Sequence, residues 1–347
     1  MCRAGKDKTR RYCPATTSEE RVSERNARRR LTYMGDATKA RIAAFEKDKD
    51  TLDEKTLAKR EAKLTYKKDS AIYQKHIAYA GEVINKLRST GKETHLLHAK
   101  TTSGGELMWD TDRAKIHREI IQEQLAAWEN VPCDAEALFS GGLGGAGKGS
   151  CLKSPMLQIN QKNYATLNPD DIKEVMAAKG LIPQLDGLTP MEASPLVHEE
   201  ASYITGQLAK VLIARRKNII YDLTMASYDS TKKKIDNLRN SGYKKIDAVF
   251  VDISTETSDS RAEERHMRGH NRYLRGEGQG GRILPKGISA AQVPEDESYR
   301  SLNAENFLKL KADGVFTSAR AFDNNVDGRP PIELDSLKTN VKQSEAA

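Results

Sequence analysis

Nowhere in its 347 residues does the sequence hold an apolar run approaching the roughly 20 residues that a membrane-spanning helix needs, so no membrane partner is expected. Aromatic residues are scarce, at 6% beside 37% hydrophobic and 31% charged residues, which allows a modest core under much solvated surface. The N-terminus, Met1-Cys2-Arg3-Ala4-Gly5-Lys6, runs into further charge and not into an apolar segment. No secretory leader is therefore expected, and the expected location is the cytoplasm, a host's cytoplasm if the chain is phage-encoded. Cysteine is sparse as well. Cys2, Cys13, Cys133 and Cys151 form no CxxC pair, and nothing near Cys2 and Cys13 completes a zinc tetrad, so free thiols in a reducing compartment are the plain reading.

Charge of one sign is in excess, but only locally. Residues 1–130 hold 28 Lys+Arg against 20 Asp+Glu, while the remainder holds 29 of each, so the net +8 belongs to the N-terminal third. The length suggests two units. Residues 1–36 read as a basic flexible arm ending in Arg28-Arg29-Arg30, and 37–130 as a helical region. Within it, Ile42, Phe45, Leu52, Leu57, Leu64, Ile72, Ile77, Val83 and Ile84 are too irregular for a coiled-coil seam and suggest two or three amphipathic helices. Thr101 to Gly105 reads as a turn, and a further helix is expected from about Thr111 to Glu129, broken by Pro132. The basic surplus leaves open contact with nucleic acid or an acidic partner, regulation in cis, or simple packing.

From residue 131 to 334 the texture changes. Apolar runs at Ala137–Phe139, Tyr164–Leu167, Asn218–Tyr221, Ile246–Ile253 and Val315–Phe322 alternate with helical patterns at about 149–158, 170–179, 194–216, 228–241 and 255–275. Alternation of this kind predicts an α/β fold, a parallel sheet flanked by helices, with a polar tail over 335–347.

Ser140-Gly141-Gly142-Leu143-Gly144-Gly145-Ala146-Gly147-Lys148-Gly149-Ser150 follows the first of these strands and precedes a helix. Gly142 to Lys148 has the GxxxxGK spacing of a Walker A loop, in which glycines let successive backbone N–H groups turn toward phosphate oxygens while the lysine reaches the terminal phosphates. Gly142, Gly144, Gly145, Ala146, Gly147, Lys148, Gly149 and Ser150 are thus expected to hold ATP or GTP with Mg²⁺. The usual hydroxyl after the lysine is missing, because Gly149 stands there and Ser150 comes one place later. One residue of helix turns a side chain by about 100°, which points Ser150 away from the usual hydroxyl position; Ser150 and Asp222 are the metal-ligand candidates, with nucleotide, water and the acid supplying most of the hold.

Asn168-Pro169-Asp170-Asp171 sits where a strand passes into a helix. Helix capping alone accounts for these residues, yet strand ends are also where α/β enzymes place a carboxylate that accepts a hydroxyl proton. Glu199 and Glu200 open an amphipathic helix, as dipole partners or substrate ligands. Ile219-Ile220-Tyr221-Asp222-Leu223-Thr224 is a buried strand ending in an acid. Arg261, Arg265, Arg268, Arg272 and Arg275 lead into a glycine-rich stretch holding Arg282, a composition that suits a lid closing on phosphates. His266 and His270 lie four apart on one helical face, but no third ligand is evident, so no metal is assigned to them.

The ordered series resembles the zeta-toxin family of P-loop kinases over about 135–325. The glycine loop, Asn168-Pro169-Asp170-Asp171-Ile172-Lys173, Tyr221-Asp222-Leu223-Thr224, Glu263-Glu264-Arg265, Gly280-Gly281-Arg282-Ile283-Leu284-Pro285 and Phe316–Asn324 carry the resemblance. It implies Asp170 as general base, Lys148 as phosphate cradle, Arg265 and Arg282 as stabilisers of transferring phosphate, and Glu199, Glu200, Asp222 and Thr224 around the substrate. It also implies an antitoxin partner and a nucleotide-sugar substrate such as UDP-N-acetylglucosamine. A nucleic-acid-associated ATPase or polynucleotide-directed kinase, and a catalytically weak interaction module, are the competing readings of the same residues.

Overall fold

The computed structural model describes residues 71–274, 277–283, 290–294, 299–335 and 337. The basic arm, the first part of the expected helical region and the polar tail lie outside them. The chain divides into two compact units that interleave along the sequence: one takes 1–108, 173–199 and 264–283, the other 109–172, 200–263 and 284–347. No linear cut near residue 131 reproduces this division.

In the first unit, α1 (Ala71–Ser89) buries Tyr73, Ile77, Ala80, Ile84 and Leu87. These fall at alternating steps of four and three, the spacing of one helical stripe. Tyr73 and Ala80 complete a stripe that looks broken when only aliphatic residues are counted. The short α2 (Thr94–His98) follows, and its Thr94 hydroxyl donates to the Leu196 carbonyl at 3.3 Å. The Thr101–Gly105 turn joins two strands of three residues, β1 (Ala99–Thr101) and β2 (Leu107–Trp109). Met176, Leu181, Met191, Leu196 and Val197 complete the apolar interior of this unit.

The second unit opens with α3 (Thr111–Ala127), capped by the Asp110 carboxylate, which accepts from the Arg113 N–H at 2.8 Å. Its sheet comprises β3 (Glu136–Gly141), β4 (Ala165–Leu167), β5 (Ile219–Asp222), β6 (Lys245–Asp252), β7 (Ser318–Asp323) and β8 (Ile332–Leu334). The order is β4-β5-β3-β6-β7-β8, parallel except for antiparallel β8 at the edge. Helices on both faces let the middle of β3, β5 and β6 be apolar and buried, with polar residues mostly toward the strand ends. Its own helices include α4 (Lys148–Leu152), α7 (Tyr228–Asn240) and α9 (Leu302–Ala312), while α5 (Pro169–Ala178), α6 (His198–Ala214) and α8 (Thr255–Leu274) are divided in sequence between the two units.

Two differences from the sequence reading have local causes. The helix expected over 149–158 stops at Leu152, because Pro155 cannot continue it and Ser154 instead caps a 3₁₀ turn at Pro155–Leu157. The helix α9 and the strand β8 were not expected at all. Asn303 is buried on α9 beside Phe307 and Leu310, and a polar residue on the inner face blurs the periodicity.

Glu200 also changes role. It is fully buried, accepts from Arg113 Nη2 at 3.0 Å and lies 2.7 Å from His117 Nε2. Its carboxylate ties α6 to α3, and so it gives up the substrate contact expected of it. Removing one member of a buried ion pair leaves the other charge uncompensated. Glu200→Ala is expected to lower stability by about 3–5 kcal/mol, read as a fall in the urea midpoint at unchanged slope. A loss below about 1 kcal/mol would show that Arg113 and His117 are solvated.

Candidate active site

The parallel strands of the second unit end on one side of the sheet, and that edge carries its chemistry. Ser140, Asp222, Asp252 and Asp323 stand at or beside the carboxyl ends of β3, β5, β6 and β7, with Ser140 in register with Asp222 and Asp252 with Asp323. Open α/β sheets bind ligands at this edge.

The loop from Gly142 to Gly147 leaves β3 here and enters α4. Gly142, Gly145 and Gly147 have φ of 133°, 76° and 81°, a region that side-chain-bearing residues rarely adopt. Space forbids a side chain as well: a Cβ on Gly142 would lie 2.3 Å from the Val251 carbonyl oxygen, and one on Gly147 2.5 Å from Asn324 Nδ2. Leu143 and Ala146 turn inward to a core with Leu138, Cys151, Leu152, Val249 and Val251, which anchors the loop from below. Within this core, burial pushes the Cys151 thiol up to about 11.

Polar side chains brace the loop from the flank. Asn324 Nδ2 donates to the Ala146 carbonyl at 2.7 Å, and the Ser258 hydroxyl to the Gly144 carbonyl at 2.6 Å. Arg261 donates to the Gly145 carbonyl at 3.4 Å, to the Asn324 carbonyl at 2.8 Å and to Asp327 at 2.8 Å. These bonds occupy loop carbonyls, and of the loop amides those of Gly142 and Ala146 donate to the Thr224 and Leu143 carbonyls. Lys148 Nζ lies over the same loop, 3.1 Å from the Gly142 carbonyl and 3.4 Å from that of Leu143.

Acidic residues meet the lysine from β5. Asp222 Oδ1 is 3.7 Å from Lys148 Nζ, and Oδ2 accepts from Asn168 Nδ2 at 2.9 Å. Asn168 in turn accepts the backbone N–H of Asp170 at 2.9 Å. A single asparagine thus caps α5 and ties it to the acid beside the lysine, so capping and site geometry are one arrangement. Asp170 is half-buried at that helix start, and Thr224, Gly149 and Ser150 are exposed. The 223–225 segment, whose Thr224 carbonyl accepts from Gly142 N–H at 3.4 Å, is pinned by Asn303 and Asn306 of α9.

Arg265 and Arg282 belong to the first unit, as does exposed Glu199. Within the same unit as the loop, Arg261 braces it, and Arg300 lies 3.2 Å from Asp252 and 3.3 Å from Asp323. Arg261 stood in the sequence beside Arg265 as one of a run, and nothing in the spacing distinguished them. Arg300 and Asn303 carry no motif signal, and Asn324 was read only as the end of a terminal strand.

A second polar cluster lies wholly within the first unit. His76, His266 and His270 surround Glu192, with ring nitrogens 2.7, 2.8 and 2.8 Å from the same carboxylate oxygen. Burial alone would raise this carboxyl, but hydrogen bonds from His266, His270 and His76 hold it well below the usual range.

The fold and the glycine loop define a P-loop protein of the α/β class. The zeta toxin family model matches residues 133–320, more than half of the sequence, and the chain belongs to that family. No curated protein matches it. Among solved structures, the AvrRxo1-ORF1:AvrRxo1-ORF2 complex with sulphate ions is similar at 16% identity, over 67% of this chain and 71% of that one, with a TM-score of 0.50. The same complex with ATP gives 15% identity, 72% and 79% coverage, and 0.50. A structure from the PezAT chromosomal toxin–antitoxin system of Streptococcus pneumoniae gives 14%, 63%, 78% and 0.45. At these identities the likeness is one of fold.

The glycines of the loop make contrasting demands. Gly147→Ala is expected to weaken ATP binding by about tenfold or more, since it meets both a positive φ and Asn324. Gly149→Ala should leave affinity within about twofold, because a Cβ there meets nothing within 4 Å. Titration with a fluorescent ATP analogue measures both, and equal losses would show that the loop is not the nucleotide site.

Proposed function

We propose that the chain is an ATP-dependent small-molecule kinase that transfers a phosphoryl group to a hydroxyl, with a nucleotide sugar such as UDP-N-acetylglucosamine as acceptor. The observation that carries the reading is the line from Lys148 through Asp222 and Asn168 to Asp170, which joins a braced phosphate loop to a carboxylate at a strand end. Family membership and the ATP bound in a structure of similar fold support the donor. GTP would fit the same backbone cradle. The acceptor rests on the family resemblance.

In this reading Gly144, Gly145 and Gly147 present backbone N–H groups to the phosphates, Gly142 and Ala146, whose N–H groups are held by the Thr224 and Leu143 carbonyls, shape the loop around them, and Lys148 leaves the loop carbonyls to neutralise the terminal phosphates. Asp170 takes the proton of the acceptor hydroxyl as its oxygen bonds to the γ-phosphorus, and ADP leaves with the bridging oxygen. Asp222 and Ser150 are the groups that would hold Mg²⁺, which supplies charge neutralisation at the phosphates. The buried Ser140 hydroxyl, which has no hydrogen-bond partner among the described residues, is one polar atom at this edge still to be satisfied. Arg265 and Arg282 would add positive charge during transfer, and Thr224 would meet the substrate. An antitoxin partner follows from the family. The basic surplus before residue 131 favours contact with nucleic acid as a second property.

Asp170→Asn is expected to keep fold and ATP affinity while cutting phosphoryl transfer by about 10²-fold or more. Mass spectrometry of a nucleotide-sugar panel incubated with ATP and Mg²⁺ reads the product as a gain of one phosphoryl group. Normal transfer by the variant would reduce Asp170 to a helix-start residue. Turnover seen only with nucleic acid would replace the small-molecule reading by the polynucleotide-directed one.

Gly149→Thr should lower the Mg²⁺ concentration needed for half-maximal transfer, since the open space at 149 accepts the hydroxyl that the loop lacks. An unchanged Mg²⁺ response would mean that Ser150 or Asp222 already fills that position.

A further inference from the structure

The cluster around Glu192 presents more donors than one oxygen can use. An ionised carboxylate has about four lone-pair sites on two oxygens, hence about two for each. Three imidazole nitrogens approach Oε1 at 2.7–2.8 Å, while Oε2 accepts the Thr189 N–H at 2.7 Å. All four ligand atoms lie within 4.8 Å of one another. His76, Glu192, His266 and His270 are only 6%, 0%, 2% and 4% exposed, so bulk solvent does not relieve the crowding. An apolar or singly hydrogen-bonded filling would be the ordinary solution at such depth.

We propose that His76, Glu192, His266 and His270 form a binding site for one divalent transition-metal ion, Zn²⁺ by its chemistry. Three imidazole nitrogens and one carboxylate oxygen are a borderline donor set, and four buried protein ligands make a closed structural site, not one with a position for substrate. In the metal-bound form each imidazole offers a lone pair and none has to donate to Glu192.

The surroundings are those of a built site. The Tyr73 hydroxyl lies 2.9 Å from His266 Nδ1, the partner that fixes which ring nitrogen faces inward. Glu192 is oriented by the Thr189 N–H. Glycines permit the close packing: a Cβ on Gly280 would lie 2.1 Å from Thr189 Oγ1, and one on Gly281 2.1 Å from the His266 carbonyl oxygen. The ligands come from three separate segments of the first unit, namely α1, the turn before the 194–197 3₁₀ helix, and the later part of α8. The ion clasps those segments together, and its binding energy becomes folding energy.

The test uses the full chain. Elemental analysis of the purified protein should find about one Zn²⁺ per chain, and stripping with a chelator should lower the melting temperature reversibly. Replacement by Co²⁺ should give a visible ligand-field band without thiolate charge transfer, which separates this site from Cys2 and Cys13. Tyr73→Phe should keep the band and weaken Zn²⁺ by about tenfold, and His270→Ala should weaken it further and change the band. A chain that holds no metal, and whose melting temperature Zn²⁺ does not raise, would overturn the proposal and leave a hydrogen-bonded histidine–glutamate network. An unchanged Co²⁺ spectrum in His270→Ala would overturn it too, by placing the ion elsewhere. If His270→Ala fails to fold, the wild-type Co²⁺ spectrum and the Tyr73→Phe titration still decide.

Discussion

A phosphate loop works only if its backbone amides are turned away from the hydrogen bonds they would otherwise make, and a chain left to itself would not hold that conformation. Here the cost is met by three glycines at positive φ and by side chains that hold the opposite, carbonyl, side of the loop. Asn324, Ser258 and Arg261 come from β7's end and from α8, while Leu143 and Ala146 are sunk in the core under β3 and β6. Sheet, flanking helix and terminal strand are therefore all needed before Lys148 has a fixed place. This explains why the site residues are spread from 140 to 324 although the recognisable motif is under a dozen residues long.

How much of this was legible in the sequence follows from the kind of signal each residue carries. The strands β3, β5 and β6 announced themselves because a strand buried on both faces must be apolar through its middle. The loop was legible because its glycines are forced by sterics. Asp222 and Asp170 were legible as acids at strand ends, while the asparagine joining them was read only as a cap. Asn303 and Arg300, and the loop-bracing role of Asn324, were illegible, since a polar side chain that bonds a backbone carbonyl or a carboxylate far away in sequence leaves no periodic trace. The histidine pair 266 and 270 showed its helical spacing, but the carboxylate and third imidazole arrive from residues 192 and 76, which only the fold brings near.

Two buried glutamates show how polar chemistry organises the helical parts of this chain. Glu200 is held by Arg113 and His117, and Glu192 by three histidines, each carboxylate fully buried. Their surroundings differ in a telling way. Around Glu200 a permanently charged guanidinium supplies the compensating cation, so the site is complete with protein groups alone. Around Glu192 there is no such permanent cation among the described residues in contact with it, only three imidazoles. Comparable burial thus leads to a closed ion pair in one case and to a set of ligands in the other.

The same reasoning bears on the missing hydroxyl of the phosphate loop. Helix α4 is only five residues long, so its dipole at the loop is weaker than that of the long helix usual in this position. With Gly149 in place of a hydroxyl, positive charge and metal-binding capacity are both reduced on the helix side. What remains is Lys148 at the start of α4, together with groups at the strand ends: the acid Asp222 within 3.7 Å of the lysine, and the acids at the ends of β6 and β7 bridged by Arg300. A site of this design relies on strand ends more than on the helix terminus. Asn168 then has a larger part than a cap, because it fixes the orientation of Asp222 while setting the start of α5, and any shift of that helix would be felt at the lysine.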